Sequence, residues 1–176
     1  GHIDEKTLSK VLDYLLTYYV RITACENNKN LSKFMKSMYD RVVDGTTYED
    51  YYERFVVFLN DLKANNRMPT DTEFEDALMY KPLYKKPICK FVLSVIENST
   101  KEHIDISNLT IKHIMPQKEN AAVWKKEVGD DYSSVYEVYL HTLGNLTITG
   151  HNSELGTKSF NDKKAIIKAN SKAVIL

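Results

Sequence analysis

Apolar residues recur at helical spacing through the first hundred positions and then, near residue 103, give way to the alternation of short strands. That change of period limits the fold more than any other feature. A stripe at helical spacing cannot line one face of a sheet, and alternation cannot cover one face of a helix. From Ile3 to Ala24 the stripe Leu8, Val11, Leu12, Leu15, Leu16, Tyr19 and Ile22 predicts one long helix. A second stripe runs through Leu31, Phe34, Met35, Met38 and Val42 and closes at Asp44 and Gly45. "TTYE" then offers a capping box, Thr46 with Glu49, ahead of Tyr48, Tyr51, Tyr52, Phe55, Phe58, Leu59 and Leu62. "TDTE", Thr70 to Glu73, repeats the device before Phe74, Ala77 and Leu78. After the breakers Pro82 and Pro87 a last stripe carries Ile88, Phe91, Val92, Val95 and Ile96.

Beyond the switch, "HIDISNLTIKHIMP" predicts one or two short strands. "ENAAVWKKEVGDDYSSVYEVYLHTLGN" returns to helix, with Trp124 as its apolar anchor and a break at "GDD". "LTIT" is a second short strand, and Gly150 marks the turn out of it. From Ser153 to Ala169 the pattern is helical, with Phe160, Ile166 and Ile167 on one side. The expected fold is mainly α with a small α+β element: a helical segment over 1–100 that packs on a core over 101–176.

Composition excludes several classes of function. Lys plus Arg and Asp plus Glu both number 24, so no global basic field announces a nucleic acid. The most apolar run, Val11 to Ile22, is broken by Asp13 and tyrosines, so no membrane span or signal peptide is expected. Cys25 and Cys89 lie far apart among apolar residues, the pattern of buried thiols in a reducing, cytoplasmic setting. Twelve tyrosines raise the idea of base stacking, but those of the first hundred residues fall on or beside apolar faces, which favours core packing. The opening "GH" reads as a tag remnant and the apolar "SKAVIL" ends without a stop signal, so a fragment of a longer protein is expected.

The chemistry concentrates in the last seventy residues. A strand ends in His113, and after an excursion come a strand, a turn and a helix lined with Asn, His and Lys. Such a frame can hold a divalent cation between strands and helix with an imidazole opposite, an arrangement suited to phosphodiester hydrolysis. A neutral imidazole takes a proton from water, and a hard cation stabilises charge on the phosphate. An asparagine oxygen is a reasonable ligand, and a second asparagine can fix the tautomer of the histidine. A lone histidine in a strand is also commonly a satisfied structural residue, and the pattern alone leaves both readings open.

"IKHIMPQ", a tryptophan soon after, and "YLHTLGNLTITGHNSELGTKSFNDKK" together resemble the HNH-type, ββα-metal nuclease domain at the C-terminal end of GmrSD-type modification-dependent restriction enzymes and related phage-defence proteins. Upstream, "YYVRITACENNKNLSKFM" and "MPTDTEFEDALMYKPLY" resemble the helical segment that precedes that core. The resemblance implies a metal-dependent DNA endonuclease or nickase using one Mg²⁺ or Mn²⁺ ion. It implies DNA, modified phage DNA in particular, as substrate, and an NTPase-like sensor domain in the same or a partner chain. By the same resemblance His113 is the general base, Asn145 supports it, and Lys158 is the basic residue near the phosphate. Asn152 matches the metal ligand at the helix start, with His151 beside it as competitor. His141 is a candidate phosphate contact, or else a histidine favoured by a helix C-terminus.

Two further features bear on that reading. From Gly156 to Leu176 five lysines (158, 163, 164, 168 and 172) face one aspartate, Asp162, so Lys163, Lys164 and Lys168 are candidate DNA contacts, or one solvated helix face. Tyr132, Tyr136 and Tyr139 lie in the excursion, where core packing is the stronger expectation. The departure is Lys112, which stands where the family usually has Glu or Asp. An ammonium has no acceptor and repels a cation. Three readings follow: a metal-poor, weakly catalytic site; metal held by Asn152, His151, waters and substrate; or a lysine that suppresses cleavage. The alternative to an endonuclease is therefore a catalytically impaired DNA-binding or protein-interaction module that retains the HNH fold.

Overall fold

A computed structural model describes residues 3–27, 31–44, 48–99, 105–119, 121–150 and 152–170, without the side chains of Leu31, Tyr48, Asn152, Ser153 and Asn170. The described chain is mostly helical with one small two-stranded sheet, as the switch of period predicts. It divides into two compact units, Gly1–Glu75 and Asp76–Leu176.

In the first unit α1 (Glu5–Ala24) is capped by Asp4, whose carboxylate accepts the Thr7 N–H at 2.9 Å. α2 (Leu31–Met38) runs into a π-type turn at Tyr39–Val43, closed by the Asp44 N–H on the Tyr39 carbonyl. A short 3₁₀ turn at Tyr48–Asp50 leads into α3 (Tyr51–Asn60). The core gathers Val11, Tyr18, Ile22, Phe34, Val42, Phe55, Phe58 and Leu59. Tyr18 stacks on Phe34, so the tyrosine serves packing here, with its hydroxyl donating to the Asn66 carbonyl. The expected α1 stripe is only partly inward: Leu8, Leu12 and Leu16 are exposed, Leu12 by 53%. The capping box expected at Thr46 lies outside the described residues.

The second capping box is present. α4 (Asp71–Tyr80) begins where the Glu73 N–H reaches Thr70 Oγ1 at 3.3 Å and the Glu73 carboxylate accepts the Thr70 N–H at 2.9 Å. Arg67 lies on the same carboxylate, and this contact holds the Glu73 carboxyl well below its usual range, at about 2.

In the second unit α5 (Cys89–Asn98) packs on the sheet through β2 (Leu146–Thr149). Its inward residues are Cys89, Val92, Leu93, Ser94 and Glu97, while Phe91 and Val95 face out, a rotation from the stripe expected. β1 (Thr110–His113) pairs antiparallel with β2, with Lys112 opposite Thr147 and His113 opposite Leu146. Between the strands run α6 (Ala122–Val128) and α7 (Tyr132–Tyr139), broken as expected at Gly129–Asp131. Trp124, Ile114, Met115, Ala121, Tyr132 and Leu140 form a second core beside the sheet. The helix expected over 153–169 is two: α8 (Asn152–Leu155) and α9 (Phe160–Asn170). Gly156 separates them at φ +41, a left-handed conformation that ends a helix at little cost for glycine.

Replacing Thr70 with Ala removes the hydroxyl acceptor of the α4 box and is expected to lower stability by about 1 kcal/mol in urea unfolding. Thr70→Ser, which keeps the oxygen, should retain most of that stability.

Candidate active site at the end of the first strand

His113 closes β1, and the chain after it leaves the ladder at once. The polar groups of that departure are met by Asn145, on a 3₁₀ turn (Leu143–Asn145) that feeds β2. The Asn145 carbonyl accepts the Ile114 N–H at 2.9 Å, and its side-chain oxygen accepts the Met115 N–H at 2.6 Å. Its amide donates to the carbonyls of Met115 (3.2 Å) and Leu140 (2.8 Å). "GNL" thus buries an asparagine because a short polar side chain can imitate a strand's edge where, among the described residues, no third strand lies.

The His113 ring is 3% exposed and both of its nitrogens have neighbours. Gln117 presents its amide nitrogen to Nδ1 at 2.9 Å, and Nε2 lies 3.1 Å from Nδ1 of His141. Because an amide nitrogen only donates, Nδ1 accepts, so the neutral ring carries its hydrogen on Nε2 and donates to His141. Tyr84 packs edge-on against His113 and stacks on His141, with centroids 4.3 and 5.5 Å away. It is placed there by the His141 carbonyl, which accepts from the N–H groups of Leu83 and Tyr84. Burial, then His141, Lys112 and Lys163, push the His113 pKa down to about 4, so the ring is neutral at physiological pH.

A cavity of about 450 Å³ opens beside this ring. Lys112, His113, Gln117 and Lys118 line it with Tyr84, Gly156 and Thr157. Among the described residues it carries two lysines and no carboxylate. Alternation along β1 sends Lys112 and His113 to opposite faces, yet both border the cavity.

The fold brings together His113, Asn145 and His141. Asn145 grips the backbone after the histidine, whereas the ring itself is oriented by Gln117 and His141. Lys158 is exposed, and its carbonyl accepts the Trp124 indole N–H at 2.9 Å. Asn152 begins α8, its side chain outside the described set, and His151 lies outside the described residues. Lys163, expected among the phosphate contacts, is instead fully buried, its ammonium 2.7 Å from the Ile114 carbonyl. Lys164 is half-buried over the Phe160 ring, and Lys168 is exposed. Gln117 and Tyr84 had not been singled out. Gln117 stands four residues after His113 in the quoted "HIMPQ"; nothing local marks Tyr84.

Residues 68–175 match the family model described as GmrSD restriction endonucleases, C-terminal domain. The chain belongs to this family. Neither the curated proteins nor the solved structures give a match. Membership in the GmrSD family raises the question of a divalent cation. Among the described residues no group of three His, Cys, Asp or Glu side chains is placed to hold a metal. The nearest donors are already engaged: the His113 nitrogens with Gln117 and His141, and the Asn145 oxygen with Met115. Lys112 adds a positive charge that acts on both His113 and Lys163. The described donor set of this GmrSD-type domain does not fit a divalent cation.

The depressed histidine makes stability depend on acid. The unfolded ring takes up its proton near pH 6.5 and the folded one near 4, so the unfolded state binds more protons between them. His113 favours the folded state above pH 6.5 and loses that contribution as the pH falls through this window, on the order of 3 kcal/mol in total. Urea midpoints measured across the window should fall more steeply for the native chain than for His113→Gln.

Proposed function

We propose that this chain is a nuclease-fold module that holds the phosphate backbone of DNA at the His113 cavity and is impaired in cutting it. The observation that carries this reading is the placement of Lys112 and Lys118 around that cavity, where the described donors leave no cation site. Two ammonium groups beside a neutral imidazole suit a phosphodiester: they neutralise its charge, and the imidazole adds a hydrogen-bonding edge. Lys158 and Lys168 of the same unit are also exposed. In this proposal the HNH-like core spans 101–176 and the helical segment 1–100. The ligand is DNA, with modified phage DNA the expected target, in a cytoplasmic defence system that includes an NTPase-like sensor.

A second reading keeps the site active as an endonuclease or nickase. It is favoured by the neutral His113, whose Nδ1 is met by the exposed Gln117. In that reading Gln117 swings aside, a water takes its place, and His113 accepts the proton of the water as it attacks phosphorus, while the P–O bond to the departing sugar oxygen breaks and that oxygen takes a proton from solvent. Asn145 holds the strand end, and Lys158 steadies the phosphate. With a pKa of about 4 the ring is a weak base for this step. The Mg²⁺ or Mn²⁺ of this reading would need Asn152 or His151 as ligands.

Lys112→Glu separates the two. The native chain is expected to bind labelled duplex DNA, with affinity falling steeply as salt rises, and to leave plasmid uncut in Mg²⁺ or Mn²⁺. Lys112→Glu should bind more weakly and gain divalent-dependent nicking, which adding His113→Ala then removes. Nicking by the native chain that His113→Ala abolishes would establish the active reading instead.

A further inference from the structure

A fully buried lysine is an expensive way to fill space, because a methionine would occupy the same volume without taking an ammonium out of water. Lys163 lies in the first turn of α9, where Ser159 caps the helix: its hydroxyl accepts the Asp162 N–H and its carbonyl accepts the Lys163 N–H. From there the side chain runs inward to the end of β1. Its ammonium is 5.6 Å from the centroid of the Trp124 ring and 2.7 Å from the Ile114 carbonyl oxygen. Trp124 is itself tied to the loop ahead of α9 through Lys158.

The Ile114 carbonyl belongs to the same peptide plane as the Met115 N–H, and that N–H is held by Asn145 Oδ1. The plane is therefore pinned at both poles, by Lys163 on one side and Asn145 on the other. The preceding plane is pinned through the Ile114 N–H. Of the four backbone polar groups from the Ile114 nitrogen to the Met115 oxygen, Asn145 meets three and Lys163 meets the fourth.

We propose that Lys163 is a positioning residue for His113: by fixing the 114–115 peptide from α9 it sets the direction of the His113 ring towards Gln117 and His141. The inference concerns the geometry of that ring and stands whether the site binds or cuts. It gives the lysine-rich end of the chain two separate tasks, an internal strut at Lys163 and an outward surface at Lys168.

The test reads the His113 ring directly. Long-range ¹H–¹⁵N spectra of the whole chain, taken above the pH range in which the ring protonates, should show His113 in the single Nε2–H tautomer. Lys163→Met, folded by circular dichroism, is expected to show a mixture of tautomers at His113 and shifted Ile114 and Met115 amides. Lys168→Met should leave both as in the native chain. A folded Lys163→Met with native His113 tautomer and native amides would reduce Lys163 to a filler and overturn the proposal. Should Lys163→Met fail to fold, the native chain decides. A scalar coupling across the hydrogen bond from Lys163 Nζ to the Ile114 carbonyl carbon supports the strut, and a fast-exchanging Nζ without that coupling overturns it.

Discussion

Asn145 stands where two strands of four residues each would otherwise fail. A two-stranded ribbon this short is marginal in water, and among the described residues β1 has no third strand to receive its end. The asparagine supplies what a third strand would: it accepts from the Ile114 and Met115 amides and donates to the carbonyls of Met115 and Leu140. Those contacts tie the exit of β1 to the entry of β2 and to the turn after α7. Ile114 and Met115 can then sit in the apolar cluster around Trp124, because their backbone has already been satisfied. His113 is the last residue before this knot, and its orientation inherits the rigidity of the knot.

Charge sets the character of the same place. In a ββα-metal site a cation and its acidic ligand balance each other beside the imidazole. On the proposed reading Lys112 stands in place of the acid; Lys112 and Lys163 both act on His113, which stays neutral through burial and like charge together. Lys163 feels the same pressure, and burial pulls its pKa down to about 8. A cavity with two lysines and, among the described residues, no carboxylate favours an anion over a divalent cation, and the proposed holding of phosphate rests on that sign.

Much of the fold was legible where one residue type leaves few options. "LTIT" between Asn145 and Gly150 could only be a short strand, "TDTE" was a capping box in sequence and in structure, and Trp124 was the anchor of its helix. Faces were harder. The α1 stripe is broad enough to bury on either side, and the structure turns Leu8, Leu12 and Leu16 outward while taking in Tyr18. On α5 the inward face includes Ser94 and Glu97, polar residues that an apolar count passes over. The single helix read over 153–169 ignored Gly156, whose left-handed backbone ends α8. At the site, His113 and Asn145 were marked by their wording in the chain. Lys163 was misplaced because a lysine in a basic helix carries no local sign that it points inward. Tyr84 reaches the histidines through a main-chain contact to His141, which no spacing encodes.

The proposed function requires that Lys112 and the engaged donors around His113 favour an anion there, and among the described residues no group of His, Cys, Asp or Glu is placed to hold a divalent cation. Adding Mn²⁺ to the ¹⁵N-labelled native chain tests it directly, since the ion broadens the amides nearest to where it binds. The account predicts no selective broadening at residues 112–117 and 145–152 when Mn²⁺ is added at concentrations at which Lys112→Glu shows it. Selective loss of those signals in the native chain would contradict it.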